Sequence, residues 1–549
     1  MRTTILHKWV LAAFALITLS SLAQAQTMGG GDVKVFDYKN NPAIKTKMTV
    51  ADNGWIYLMA HGKHESGETE VRVFRSKDDG VTFQEITHWT RSSYWFFQDF
   101  DIIVTGKDES DIRFWSVELL NDPAGNRSVL SVFKRNANLE NGNAVRMYEK
   151  EFTNTQLYDV SIASNYRSPA PDLIGGDPFA LAIAYTGFNS AENKSFVGYL
   201  ISMEAGRKFK LHHPIFSQDG KEKIGKVDLS LGSTSSSMTH NKWPIMGVVF
   251  EMNRVGNSKS DIGFLSNFVD YDSDFRWAAP IKVNTFGEAR GPKIQMMLDS
   301  EKDNTLAGKN SHNFMIMYNH YDSDERDWQI RYVYPKPNFR YKEGVTPTMD
   351  DLEEAPFATT SSDEFIGDLS YDKSYGHYLV TYADIFEYED SEVWKLKYCW
   401  VPYDLLNDLK KWSVRYVYKD DFNTPVTPPQ VDIHPIKRKA CWAWGEYHTD
   451  KSVIRADTEW STITSVEEIL PQGEGVKLCT SSTDGYMMLK LPMDATWKAF
   501  VYDMQGRKVA EVSFEGEAYK LNVQHLPKGT YLLKVASDTG RFVEKFIVE

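Results

Sequence analysis

Tyr321-Asp322-Ser323-Asp324 running into Trp328-Gln329-Ile330-Arg331-Tyr332-Val333-Tyr334 has a near twin in Tyr388-Glu389-Asp390-Ser391 running into Trp394-Lys395-Leu396-Lys397-Tyr398-Cys399-Trp400. Each is an acidic loop followed by a segment in which apolar and polar residues alternate, the period-two mark of a strand with two unlike faces. The same order of apolar strand, polar loop and second strand starts at Trp55-Ile56-Tyr57-Leu58-Met59-Ala60. It returns near Ile112, Phe179, Trp243, Asn313, His377 and Ala440, at a period near 64 residues. That period leaves room for two more strands per copy. Seven units of four strands predict an all-β fold, a seven-bladed β-propeller, whose closure leaves few long unpaired strand edges. Helical periodicity is almost absent, and the best candidate, 403–410, makes only two turns.

A short apolar segment precedes each hairpin. Five of these carry an aspartate: Phe100-Asp101-Ile102, Tyr158-Asp159-Val160, Val227-Asp228-Leu229, Gly367-Asp368-Leu369 and Val431-Asp432-Ile433. The other two bring Lys47 and Gln295. Placed before the hairpins, the segments are expected to be the innermost strands, lining a central channel with Asp101, Asp159, Asp228, Gln295, Asp368 and Asp432 at one height. Carboxylates about 9 Å apart repel by about 2 kcal/mol per neighbouring pair at an effective dielectric near 20. Such a ring calls for a compensator: a cation, backbone N–H groups, Lys47 or raised pKa values. Ca2+ is the ion that oxygen ligands outside the cell would select. The alternative is structural, each carboxylate bonding its own turn or the neighbouring blade.

Acidic residues crowd the hairpin loops, among them Asp322, Asp324, Glu387, Glu389, Asp390 and Glu446, with His61, His64, His320 and His448 nearby. His61-Gly62-Lys63-His64-Glu65 lacks the helical order of a zinc site. Asp270-Tyr271-Asp272-Ser273-Asp274 opens like a calcium loop but lacks its glycine and closing glutamate, and reads as a solvated turn. No nucleophile elbow, phosphate-cradling glycine loop or Cys–His pair is visible. With only Cys399, Cys441 and Cys479, the chain is no disulfide scaffold.

Composition narrows the partners. A net charge of −13 argues against nucleic acid. Arg2 and Lys8, the apolar run from Trp9 to Leu19 and Ala23-Gln24-Ala25 form a secretory signal with cleavage near Ala25. No later stretch has the length of a transmembrane helix.

The tail carries a more specific signal. Val501-Tyr502-Asp503-Met504-Gln505-Gly506-Arg507-Lys508-Val509, Leu526-Pro527-Lys528-Gly529-Thr530-Tyr531 and the closing strand 542–548 resemble the C-terminal sorting domain of type IX secretion substrates of Gram-negative bacteria. The resemblance implies export to the cell surface through that machinery, with Asp503, Gly506, Arg507, Leu526, Pro527, Gly529 and Tyr531 carrying the signal. It also implies a small Ig-like β-sandwich at 475–549, after a propeller at 26–460 and a linker at 461–474. In the main body, Ser76-Lys77-Asp78-Asp79-Gly80-Val81-Thr82-Phe83 resembles the Asp-box turn of sialidase-like propellers, and 202–209 resembles a degraded second copy. In that family Ser76, Asp78, Gly80, Thr82 and Phe83 would be structural, the aspartate bonding its own backbone and the glycine taking positive φ. The arginine cluster and Tyr–Glu pair that sialidase chemistry needs are missing. The expected function is therefore binding or adhesion at the cell surface, to a glycan or a host protein, by a molecule displayed as an antigen. A glycan-active hydrolase using two carboxylates and a scaffold for other surface proteins are the rivals.

Overall fold

A computed structural model describes most of residues 33–459 and 477–548. Residues 1–32, 137–143, 167–178, 233–243, 254–258, 269–276, 298–313, 340–346, 460–476 and several shorter loops lie outside that description. The signal sequence, the 461–474 linker, the 270–274 loop, most of 403–410, His64, Glu389, Asp390 and Gly506 therefore lie outside it too. The chain divides into two compact units, Met1–Trp460 and Ser461–Glu549.

The first unit is a seven-bladed β-propeller, each blade a four-stranded antiparallel sheet. Blade 1 runs Lys45–Val50, Ile56–Lys63, Thr69–Ser76, Gln84–Arg91 from the axis outward. The innermost strands of blades 2 to 7 are Phe96–Thr105, Thr155–Ser164, Ile224–Leu231, Glu288–Met296, Asp363–Asp372 and Gln430–His434. Each packs against the next, and Lys45–Val50 touches both Phe96–Thr105 and Gln430–His434, so the ring is closed. The closure is supplied by the beginning of the chain. Blade 7 takes three strands from residues 430–458 and its outermost strand, Val33–Lys39, pairs antiparallel with Lys451–Thr458.

The second strands read as apolar runs because they are covered on both faces; Leu181-Ala182-Ile183-Ala184-Tyr185 is fully buried. Seven apolar clusters hold the disc, one between each pair of neighbouring blades. Between blades 6 and 7, for example, Leu396 and Tyr398 meet Trp442 and Trp444. Aromatic side chains of this size each remove about 150–250 Å² from water, which accounts for their abundance. Cys399 and Cys441 are buried as thiols in separate blades.

The turn at residues 76–83 is tied by its own side chains. Asp78 accepts from the Thr82 amide at 2.9 Å and its hydroxyl at 2.6 Å, while the Gly80 amide donates to Ser76 Oγ at 2.8 Å. In the 202–209 turn the Gly206 amide donates to Ser202 Oγ at 3.0 Å. Both glycines have positive φ, +86° and +76°. A Cβ on Gly80 would stand 2.6 Å from Thr458 of blade 7, and one on Gly206 would stand 2.2 Å from Trp115 of blade 2. Each turn presses on the preceding blade, so these glycines set inter-blade spacing as well as turn geometry.

The second unit is a β-sandwich of two antiparallel sheets. One has three strands, Lys477–Ser481, Tyr486–Lys490 and Ala518–Asn522; the other has four, Lys508–Glu515, Thr496–Asp503, Gly529–Ala536 and Arg541–Val548. Trp497, Val501, Leu521, Leu526, Tyr531 and Leu533 form its core. Asp503 is tied to Arg507: its carboxylate accepts from the Arg507 amide at 3.0 Å and from Nε at 2.7 Å. Tyr531 donates its hydroxyl to the Pro527 carbonyl at 2.7 Å. Among the described residues no helix is long and apolar enough to cross a membrane.

Candidate functional site

Every second residue of an innermost strand faces the axis, and hydrogen bonds between neighbouring blades sort these residues into three rungs. Asp99 accepts from the Val160 amide (3.1 Å) and Asp159 from the Val227 amide (2.9 Å). Asp101 accepts from Ile162 (2.9 Å), Asp228 from Ile294 (2.8 Å) and Asp368 from Val431 (3.4 Å). Asp432 accepts from Val50 at 2.7 Å and from the Ser370 hydroxyl at 3.0 Å. Ser161, beside Asp101, donates to Asp228 at 3.0 Å. Asn319 takes the same role between blades 5 and 6, accepting from the Ile366 amide at 2.8 Å.

These staples correct the expected single ring. The middle rung holds Lys47, Asp101, Ser161, Asp228, Lys293, Asp368 and Gln430. Asp159 sits one rung nearer the strand starts, with Lys45, Asp99 and Lys226. Asp432 and Gln295 sit one rung nearer the strand ends; Gln295 donates to the Met296 carbonyl at 2.8 Å. Pairing shifts at β-bulges near the beginning of the innermost strands of blades 2 to 6, and Asp99 and Asp159 each directly follow such a shift, so Asp159 is the counterpart of Asp99 and not of Asp101.

Lysines and amides supply the compensation for which Ca2+ was considered. Lys47 pairs with Asp101 at 3.1 Å, Lys226 with Asp159 at 2.7 Å and Lys293 with Asp368 at 3.4 Å. Lys45 pairs closely with Asp99 and lies 3.9 Å from Asp159. Among the described residues no group of three His, Cys, Asp or Glu side chains is arranged to hold a metal ion. Burial alone would push the Lys47 ammonium down; Asp101, Asp368, Asp99 and Asp228 overcome it and hold the group charged. Burial pushes Asp228 up against the pull of Lys293. It also pushes Asp99 up to about 6 against the pull of Lys45, with Asp159 adding to the rise. Asp159 goes the other way: despite its burial, Lys226 and Lys45 hold it below the usual carboxylate range.

The channel opens into two cavities. One, of about 320 Å³, lies at the strand starts and is lined by Lys45, Lys47, Asp99, Asp159, Lys226 and Lys293 among others. The other, of about 180 Å³, lies at the strand ends and takes in Asp101, Asp228, Asp368, Asp432, Lys47 and Lys293. Asp159 is thus separated from the four other aspartates of the proposed set. Sequence reasoning missed Asp99, Lys45, Lys226 and Lys293. Each lies two positions before a residue already singled out, Asp101, Lys47, Asp228 and Gln295 in turn, the spacing of one strand face.

The remaining candidates are dispersed. Asp322 caps its own loop through the Asp324 amide at 2.8 Å. Glu446 pairs with Arg455 at 3.1 Å and lies 3.3 Å from His448. His61 stacks on Phe97, and His320 is buried against Phe286.

Comparison with known proteins identifies the tail. Residues 483–549 match the family described as a secretion system C-terminal sorting domain. The tail thus carries the sorting domain expected of type IX secretion substrates, and the main body is a propeller. No curated protein matches it in sequence. Among solved structures it is similar to a protein of unknown function from Dyadobacter fermentans, at 10% identity and TM-score 0.38 over 79% of this chain and 99% of that one. It is similar to an α-L-arabinofuranosidase from Fusarium graminearum at 9% identity and TM-score 0.39, over 79% and 98%. It is also similar to an ulvan lyase of polysaccharide lyase family 25 at 10% identity and TM-score 0.41, over 78% and 94%. At these scores the likenesses carry no activity across.

Proposed function

We propose that this chain is a binding or adhesion protein delivered to the outer cell surface, and that its ligand site is the channel mouth at the strand starts. The observation behind the reading is the 320 Å³ cavity itself. Its polar side chains are held in place by ion pairs and by staples to the next blade, so little ordering remains to be done on binding. A glycan or a host protein loop is the ligand class, and display as a surface antigen follows from delivery. The reading includes a signal peptide cleaved near Ala25, a mature propeller at 26–460, a linker at 461–474 and a sorting module at 475–549 recognised through Asp503, Gly506, Arg507, Leu526, Pro527, Gly529 and Tyr531.

One observation favours the hydrolase reading. Asp99 and Asp159 are neighbours with carboxyls shifted in opposite directions, a split that acid–base pairs use. Their side chains are only 2% and 9% exposed beneath the lysines, however, which leaves little of either for a substrate to meet. A glycan array and a panel of chromogenic glycosides separate the readings. Retention without turnover is the expected result. Turnover abolished in Asp99→Asn and Asp159→Asn would overturn the binding reading in favour of hydrolysis.

A further inference from the structure

The two ends of the channel present different charged groups. The cavity at the strand starts is lined by four lysines, Lys45, Lys47, Lys226 and Lys293, against two aspartates. The cavity at the strand ends has four aspartates against Lys47 and Lys293, which reach both. Exposure sharpens the contrast at the first mouth. The Lys226 and Lys45 side chains are 57% and 34% exposed, whereas Asp99 and Asp159 lie almost wholly beneath them. Glu251, the other carboxylate beside Lys226, is turned onto the Gly291 amide at 2.6 Å. A ligand entering here therefore meets ammonium groups whose counter-ions are already sealed below.

We infer that the mouth takes an anionic group, the carboxylate or sulfate of an acidic polysaccharide, with Lys45 and Lys226 as its direct partners. The inference rests on the binding reading above and names its ligand chemistry. Asp99 and Asp159 are positioning residues: each holds a lysine amine toward the axis instead of letting it extend into solvent. The setting favours selectivity, because the chain as a whole carries −13 and repels polyanions elsewhere. Exposed ammonium groups over buried carboxylates, in a chain of net negative charge, admit an anion at one place. Ammonium–oxyanion bonds are charge-assisted and stronger than the neutral bonds a hydroxyl would make.

The test is binding of the full chain to polygalacturonate, dextran sulfate and neutral dextran by isothermal titration at two salt concentrations. At least one polyanion is expected to bind, neutral dextran is not, and affinity is expected to fall as salt rises. The carboxylated and sulfated arms distinguish the two anions. Lys226→Gln, at the more exposed position, is expected to weaken binding several-fold, and Lys45→Gln/Lys226→Gln by about tenfold or more. Lys34→Gln, on the outer strand of blade 7, is expected to have no effect. Neutral dextran binding as tightly as the polyanions, or a folded Lys226→Gln variant with unchanged affinity and salt response, overturns the anion inference and leaves the binding reading standing. Failure of all three polymers together with an empty glycan array overturns both.

Discussion

His61, stacked on Phe97, and Asp99, two residues beyond that phenylalanine, pull stability in opposite directions with pH. Burial, helped by Lys45, pushes the His61 imidazole down to about 4. An unfolded histidine titrates near 6.5, so between about 6.5 and 4 the unfolded chain takes up the proton first. That group alone withdraws stability as pH falls. Asp99, pushed up to about 6, keeps its proton while an unfolded aspartate, at about 3.9, has lost it. That group alone withdraws stability as pH rises from about 4 to 6. Melting curves at pH 4, 5 and 6 separate them. Asp99→Asn is expected to raise the melting temperature more steeply with pH than the parent chain, and His61→Gln less steeply; parallel curves for all three would show that neither group is displaced. At this scale the sequence was only partly legible. The aspartates stood out because they recur before each hairpin. Their heights did not, because the rung is fixed by which amide of the next blade each carboxylate meets, a long-range pairing with no local mark.

Strands were the most readable elements. Hairpins expected near Ile112, Phe179, His377 and Ala440 correspond to strands beginning at Arg113, Leu181, His377 and Lys439, since alternation and turn residues define both ends. The strand Val33–Lys39 was not recognised. It precedes the first repeat, and its value comes from a partner more than four hundred positions away, Lys451–Thr458. It covers apolar surface with Tyr38 and Phe36 in the cluster between blades 7 and 1. Removing residues 33–39 would expose that cluster and leave Lys451–Thr458 an open edge. Such a truncation is expected to lower the melting temperature by more than about 10 °C, given that even 1 kcal/mol moves a large domain by about 2–4 °C. An unchanged melt would mean that the ring does not depend on this strand.

For the molecule as a whole, seven blades were legible from one period, whereas the charge arrangement in the bore was not, because lysines and aspartates from different blades meet only after closure. The carboxylates are answered by Lys45, Lys47, Lys226 and Lys293. Excess EDTA is therefore expected to leave the melting temperature within about 1 °C of its value in Ca2+, whereas Lys47→Gln, which strands buried Asp101, is expected to cost about 3–5 kcal/mol. A drop of several degrees on chelation would restore a bound ion. The joining of Val33–Lys39 to Lys451–Thr458 also dictates an order of assembly. The piece of propeller synthesised first cannot find its seat until the last blade has been made, so it stays unpaired throughout elongation, and the slot on blade 7, once made, stands vacant until a leading segment fills it. Another copy's leading segment fits that slot equally well, which makes exchange between molecules the characteristic failure of this architecture during crowded biosynthesis.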